Sequence, residues 1–80
     1  MITVKGKKVL VIGAGISGIS AAALLVKNGA IPIIYDGNEK IKHDEVGVKL
    51  SRKIGTAATV QIITGSFSNE VTEEVVLAVL

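Results

Sequence analysis

Gly13, Gly15 and Gly18, set in the stretch VLVIGAGISGISAAALL from Val9 to Leu25, constrain this chain more than any other feature. An aliphatic run precedes the first glycine, and small and aliphatic residues without a charge follow the third as far as Val26. That is a strand, a tight turn and a helix. Gly13 lets the chain turn sharply off the strand, Gly15 lets the backbone approach a bound group, and Gly18 lets the helix pack closely on the sheet. Free N–H groups and the positive dipole end at the start of the helix favour an anion such as phosphate. Ser17 adds a hydroxyl in the same turn. A bare G-x-G-x-x-G is a weak signal. Here it follows a strand, opens a helix and is trailed by Asp36 at the end of the next strand, which makes it strong for the fold. The bland alternative is that the glycines serve strand–helix packing alone and hold no ligand.

The rest of the chain alternates strand and helix. Lys7 to Ile12 is the first predicted strand. Ile16 to Asn28 is the first helix, with Ile16, Ile19, Ala23 and Val26 at helical spacing and Gly29 just past its end. Ala30 to Asp36 is the second strand, where Pro32 is tolerable only if its missing N–H falls at an unpaired position. Asp44 to Ile54 forms a second, more polar helix with Asp44 as its N-cap. Thr59 to Thr64 is the third strand, ended by Gly65. Asn69 to Glu74 suits a short helix or turn, and Val75 to Leu80 a fourth strand. This order implies right-handed crossovers and a parallel sheet. The predicted class is α/β: a Rossmann-like half of a doubly wound fold, about four strands in order 3-2-1-4, flanked by helices. Residues 1–80 read as one domain. The six apolar residues at the end, Val75 to Leu80, suggest a piece of a longer protein.

Composition removes several rivals. The chain is 49% hydrophobic and 20% charged, with a mean hydropathy of +0.58. A chain of this size buries only about 60–65% of its unfolded surface, and a sheet covered on both faces explains so apolar a sequence. A net charge of +2, scattered lysines and two aromatic residues, Tyr35 and Phe67, argue against nucleic acid. Without cysteine there is no disulfide framework and no thiolate zinc site, as suits a cytoplasmic protein. The uncharged run from Val9 to Val26 behind Lys5, Lys7 and Lys8 superficially resembles a signal peptide or membrane helix. Three glycines and two serines interrupt it, no convincing cleavage site follows, and a second aliphatic run begins at Ile31. No membrane association is expected.

Asp36 selects the ligand. In NAD proteins an acid at this point accepts hydrogen bonds from a ribose hydroxyl. Asp36-Gly37-Asn38 is also strong turn chemistry, in which Asp36 caps the bend; the two roles are compatible. KGKKVLVIGAGISGISAAALLVKNGA, followed by YDGNEK and IITGS, resembles the N-terminal domain of the Mur ligase family over nearly all 80 residues. The nearest branch is the one that adds D-glutamate in peptidoglycan synthesis, and so serves cell-wall biogenesis and cell division. The glycine loop is common to many dinucleotide proteins. Thr64-Gly65-Ser66 closing the third strand, with the Asp36-Gly37 turn, is the more specific part.

The resemblance implies that this domain holds the UDP end of UDP-MurNAc-L-alanine and no dinucleotide. Gly15 and the residues Ile16, Ser17 and Gly18 would carry the diphosphate. The uracil would lie near Asp36, Gly37 and Asn38, with Gly65 close by. Some relatives have a basic residue where this chain has Asn38, so no charged contact is expected there. The ATP loop, magnesium ligands, carbamylated lysine and glutamate-binding residues of the family lie in later domains, and no G-x-x-x-x-G-K-[ST] occurs here. ATP and Mg2+ therefore belong to the full-length enzyme, which phosphorylates the substrate carboxylate before the D-glutamate amine attacks. The 80-residue chain is expected to be inactive alone, with no catalytic, metal or cofactor residue of its own. Its partners would be the UDP substrate and the remaining domains of its chain.

The principal rival is an FAD- or NAD-binding domain of an oxidoreductase, whose openings also read G-A-G-x-S-G. Those proteins usually end the second strand in Glu and continue into a G-G-R segment. This chain has Asp36 and then GNEKIKHDEV. A regulatory NAD-sensing or purely structural domain is a third class. His43 is the only histidine and reads as a solvated loop residue. Glu70, Glu73 and Glu74 read as a solvated short helix, and Lys5, Lys7 and Lys8 as flanking the first strand.

Overall fold

In the computed structural model, residues 5–56 and 60–65 are described in full and 75–79 by their backbone. The order is β1 (Lys8–Ile12), α1 (Ile16–Lys27), β2 (Ile31–Asp36), α2 (His43–Ile54), β3 (Gln61–Thr64) and β4 (Val75–Val79). The strands form one sheet in the order β3-β2-β1-β4. Each neighbouring pair is parallel, with Val11 opposite Ile34 and Ile34 opposite Ile62. A parallel sheet with two helical crossovers is therefore what the alternating apolar runs produce. The predicted helix or turn over Asn69 to Glu74, its glutamates, and Thr59 lie outside the described residues.

Both helices pack on one face of the sheet. Val11 and Ile34 from the strands, Ile19, Ala22 and Ala23 from α1, and Val46 and Leu50 from α2 form a single buried cluster. Ile34, Leu50 and Val9 have no exposed surface and Val11 has 1%. Successive strand residues point to opposite faces, so Leu10 and Ile33, both buried, belong to the other side. In α2 the buried pair Val46 and Leu50 is four residues apart, one turn up the same stripe. No helix among the described residues is long and apolar enough to cross a membrane.

The ends of the elements follow local chemistry. α1 stops as predicted at a left-handed glycine. Gly29 has φ +79°, its N–H donates to Val26 at 3.0 Å, and the Ala30 N–H donates to Leu25 at 2.9 Å. Those two bonds are a Schellman closure. Pro32 meets the condition set for it. The Ile31 N–H bonds back to Lys7 on the β1 side, while the Asp36 carbonyl takes the Gly65 N–H on the β3 side. Alternation turns Pro32 toward β3, whose pairing begins only at Ile33 opposite Gln61.

Two expectations about α2 and one about α1 need correction. The N-cap of α2 is Lys42, in extended conformation with no side-chain cap, and not Asp44. Asp44 and Glu45 lie inside the first turn, with Arg52 and Lys53 in the last. They favour the helix through its dipole and not through a capping bond. His43 is the first residue of that helix and not a loop residue. Ile16, read as part of the packed stripe of α1, is 83% exposed. It is the first residue of α1.

Candidate functional site

The glycine loop, the turn after β2 and the residue that ends β3 meet at the C-terminal edge of the sheet. In open parallel α/β sheets this edge is where ligands bind. Gly13 leaves β1 with φ +114°, and its N–H donates to the Tyr35 carbonyl at 2.7 Å. A Cβ on Gly18 would lie 1.8 Å from the Gly13 carbonyl oxygen and 2.8 Å from its carbon. Gly18 is thus required by the contact between helix and loop.

Gly15 is different. Its φ is −80° and ψ −169°, a conformation open to any residue. A Cβ placed there would meet nothing within 4 Å. Gly15 is the N-cap of α1, where Ser, Asp or Asn would serve better than glycine. Neither backbone geometry nor packing within the described residues asks for a missing side chain at this position.

The start of α1 is bare. Its first intrahelical bond runs from the Ile19 N–H to the Gly15 carbonyl at 2.9 Å, so the N–H groups of Ile16, Ser17 and Gly18 have no acceptor within the helix. Among the described residues no side chain caps them, and no acidic residue stands in the first turn, whereas α2 has Asp44 and Glu45 there. An open depression of about 340 Å³ lies beside these residues, between Ile12, Gly13, Ile16 and Ala21. A larger one of about 670 Å³ runs along α2 past Gly47, Val48 and Arg52 and shares no residue with the glycine loop.

Asp36 joins the two sides of the site. Its Oδ2 accepts the Ala14 N–H at 2.9 Å across 22 residues of sequence, and its Oδ1 accepts the Asn38 N–H at 2.9 Å. The second bond is the turn cap read from the sequence; the first has no sequence signal. The Ala14 bond, and after it the Asn38 bond, hold the Asp36 carboxyl below its ordinary pKa. Each carboxylate oxygen keeps a further lone pair for a ligand donor. Asn38 continues the turn, its Oδ1 accepting the Lys40 N–H at 3.0 Å.

Gly65 closes the third side with φ +81°. Its N–H donates to the Asp36 carbonyl at 3.0 Å, and its carbonyl accepts the Tyr35 hydroxyl. Both polar groups of Gly65 are used inside the protein. Its face carries the Glu39 side chain, whose Oε1 is 2.7 Å from where a Cβ would stand. Thr64 Oγ1 lies 3.1 Å from Nε2 of His43. All the predicted site residues are therefore brought to one edge of the sheet. Tyr35 and Ala14 belong with them, and no pattern in the sequence points to either.

No protein-family model matches the chain. Among curated proteins it is 47% identical over 75 residues to the UDP-N-acetylmuramoylalanine–D-glutamate ligase of Lachnoclostridium phytofermentans, covering 94% of this chain and 16% of that protein. It is 42% identical over 76 residues to the same ligase of Lachnospira eligens, covering 95% of this chain and 16% of that protein. A third relative, the F subunit of the alkyl hydroperoxide reductase of Xanthomonas campestris pv. phaseoli, is 40% identical over 67 residues, 84% of this chain and 12% of its own length. The chain thus spans about a sixth of the length of the ligases it matches. With two such matches running through the glycine loop, the Asp36 turn and Gly65, the chain belongs to the Mur ligase family and corresponds to the N-terminal domain of its D-glutamate-adding members.

Proposed function

We propose that this chain holds the UDP end of UDP-MurNAc-L-alanine for a longer, D-glutamate-adding ligase of peptidoglycan synthesis. Gly15 carries the reading: a glycine that neither its backbone nor any neighbour among the described residues requires, beside N–H groups with no acceptor in their helix. A ligand passing close to the backbone accounts for it. The diphosphate rests on Ile16, Ser17 and Gly18. The uracil lies at Asp36, Gly37 and Asn38, and Gly65 borders it without donating, since its N–H is already engaged.

The chain contributes binding of a remote handle. ATP-driven phosphorylation of the substrate carboxylate, with Mg2+, and attack by the D-glutamate amine fall to other parts of the full-length enzyme, in the cytoplasm. Binding energy gained far from the reacting carboxylate serves to place it. The 80-residue chain alone should neither hydrolyse ATP nor ligate.

The similarity to the reductase supports a second reading, an FAD- or NAD-binding domain of an oxidoreductase. Amide NMR titration separates the two. UDP or UDP-MurNAc-L-alanine should shift Ile16, Ser17, Gly18, Asp36 and Gly37 more than NAD or FAD does, with an affinity of order millimolar because little of the ligand is held. Gly15→Ala should cost stability at most about 1 kcal/mol, yet weaken UDP binding by about tenfold or more, since one misplaced methyl stands against the ligand. Preferential binding of FAD or NAD would overturn the proposal.

A further inference from the structure

The Asp36 carboxylate is not confined to the turn where the base is expected. One of its oxygens reaches the glycine loop at Ala14, between the two glycines that have most conformational freedom to lose. The neighbouring Gly13 is tied by its N–H to the Tyr35 carbonyl at 2.7 Å. Two successive residues at the end of β2 therefore fix two successive residues of the loop. Asp36 itself offers the anion nothing, because the anion's donors are the N–H groups of Ile16, Ser17 and Gly18 and a carboxylate only repels it.

We propose that Asp36 is a positioning residue for the phosphate cradle, holding the loop at Ala14 so that the diphosphate and the base are bound by one preorganised unit. The inference rests on the nucleotide reading above and deepens it. A loop of Gly13, Ala14 and Gly15 left untied would have to be ordered when the ligand arrives, and that ordering is subtracted from affinity. The bond to Ala14 does the ordering beforehand.

Two effects of Asp36 on an anion have opposite signs, and this makes the proposal testable. Inorganic diphosphate is the probe, since it carries no base to touch Asp36. If the carboxylate acts by charge alone, Asp36→Asn removes a repulsion and tightens diphosphate binding. If it acts by positioning, the side-chain amide cannot accept from both Ala14 and Asn38, the loop loosens, and binding weakens by about fivefold, the equivalent of one net hydrogen bond. A synthetic chain with the Ala14 amide replaced by an ester removes the donor while leaving every side chain and charge in place. It should weaken diphosphate binding to a similar degree. Both variants are titrated by the amide shifts of Ile16, Ser17 and Gly18, and their unliganded amide dispersion reports folding. Unchanged or tighter diphosphate binding in both variants would overturn the proposal alone. A wild-type chain that responds to neither diphosphate nor UDP would overturn the nucleotide reading, and the proposal with it.

Discussion

Gly18→Ala should destabilise the protein although alanine is the better helix former. In the interior of a helix the exchange ordinarily stabilises by about 1 kcal/mol. Here the added methyl would stand 1.8 Å from the Gly13 carbonyl oxygen, and real Cβ atoms do not approach closer than about 3 Å. Relief requires α1 and the loop to separate by more than an ångström. The obstacle is backbone, held by the Gly13 bond to Tyr35, and no flexible side chain can swing away. Overpacking against so stiff a partner costs about 3 kcal/mol, the upper end of the usual range. The net is about 2 kcal/mol of destabilisation, or a melting temperature lower by about 8–16 °C for a domain of this size. Gly47→Ala is the internal control: it lies in α2 and its Cβ would meet nothing within 4 Å among the described residues. It should therefore show the helix preference alone and stabilise by about 0.5–1 kcal/mol. Urea unfolding followed by circular dichroism measures both. A Gly18→Ala protein as stable as the parent would refute the close contact of loop and helix on which the site is built.

Tyr35→Phe removes the hydroxyl that donates to the Gly65 carbonyl. It should cost about 1 kcal/mol in urea unfolding and move the Gly65 and Ser66 amide signals; unmoved signals would mean that Tyr35 does not hold Gly65. The lowered pKa of Asp36 means that its carboxylate stabilises the fold at all pH values above the unfolded-state value of about 4, and that this contribution fades as the pH falls through the native value. The stability gap between the parent and Asp36→Asn should accordingly be constant from pH 7 to about 5 and close on further acidification. Parallel curves down to pH 2 would show that the Ala14 and Asn38 bonds do not favour the ionised form.

Much of the architecture is legible because its causes are local. Continuous aliphatic runs separated by helical spacing give a parallel α/β sheet. Gly29 ends α1 because only a left-handed residue makes the Schellman closure. The Asn38 bond to Asp36 can be read from Asp-Gly-Asn, since it spans two residues. The start of α2 is ambiguous in the sequence because Asp44 suits both a cap and a first turn, and residue type does not rank them. Ile16 falls on the packed stripe by spacing alone, because periodicity places a residue on a stripe but not within reach of a neighbour. What only the tertiary structure decided are the contacts that the crossovers create: Ala14 with Asp36, Tyr35 with Gly65 and His43 with Thr64; the Gly13 oxygen against Gly18 is local, and the glycine spacing already marks it. The first three join residues 21 to 30 positions apart, and no periodicity within either segment encodes which atom of one will face which atom of the other. Strand register sets that, by bringing Tyr35 opposite Ile12 and Asp36 opposite Thr64, so that the loops leaving all three strands start at one level and close on one residue, Asp36, two of them through its carboxylate and the third through its backbone carbonyl.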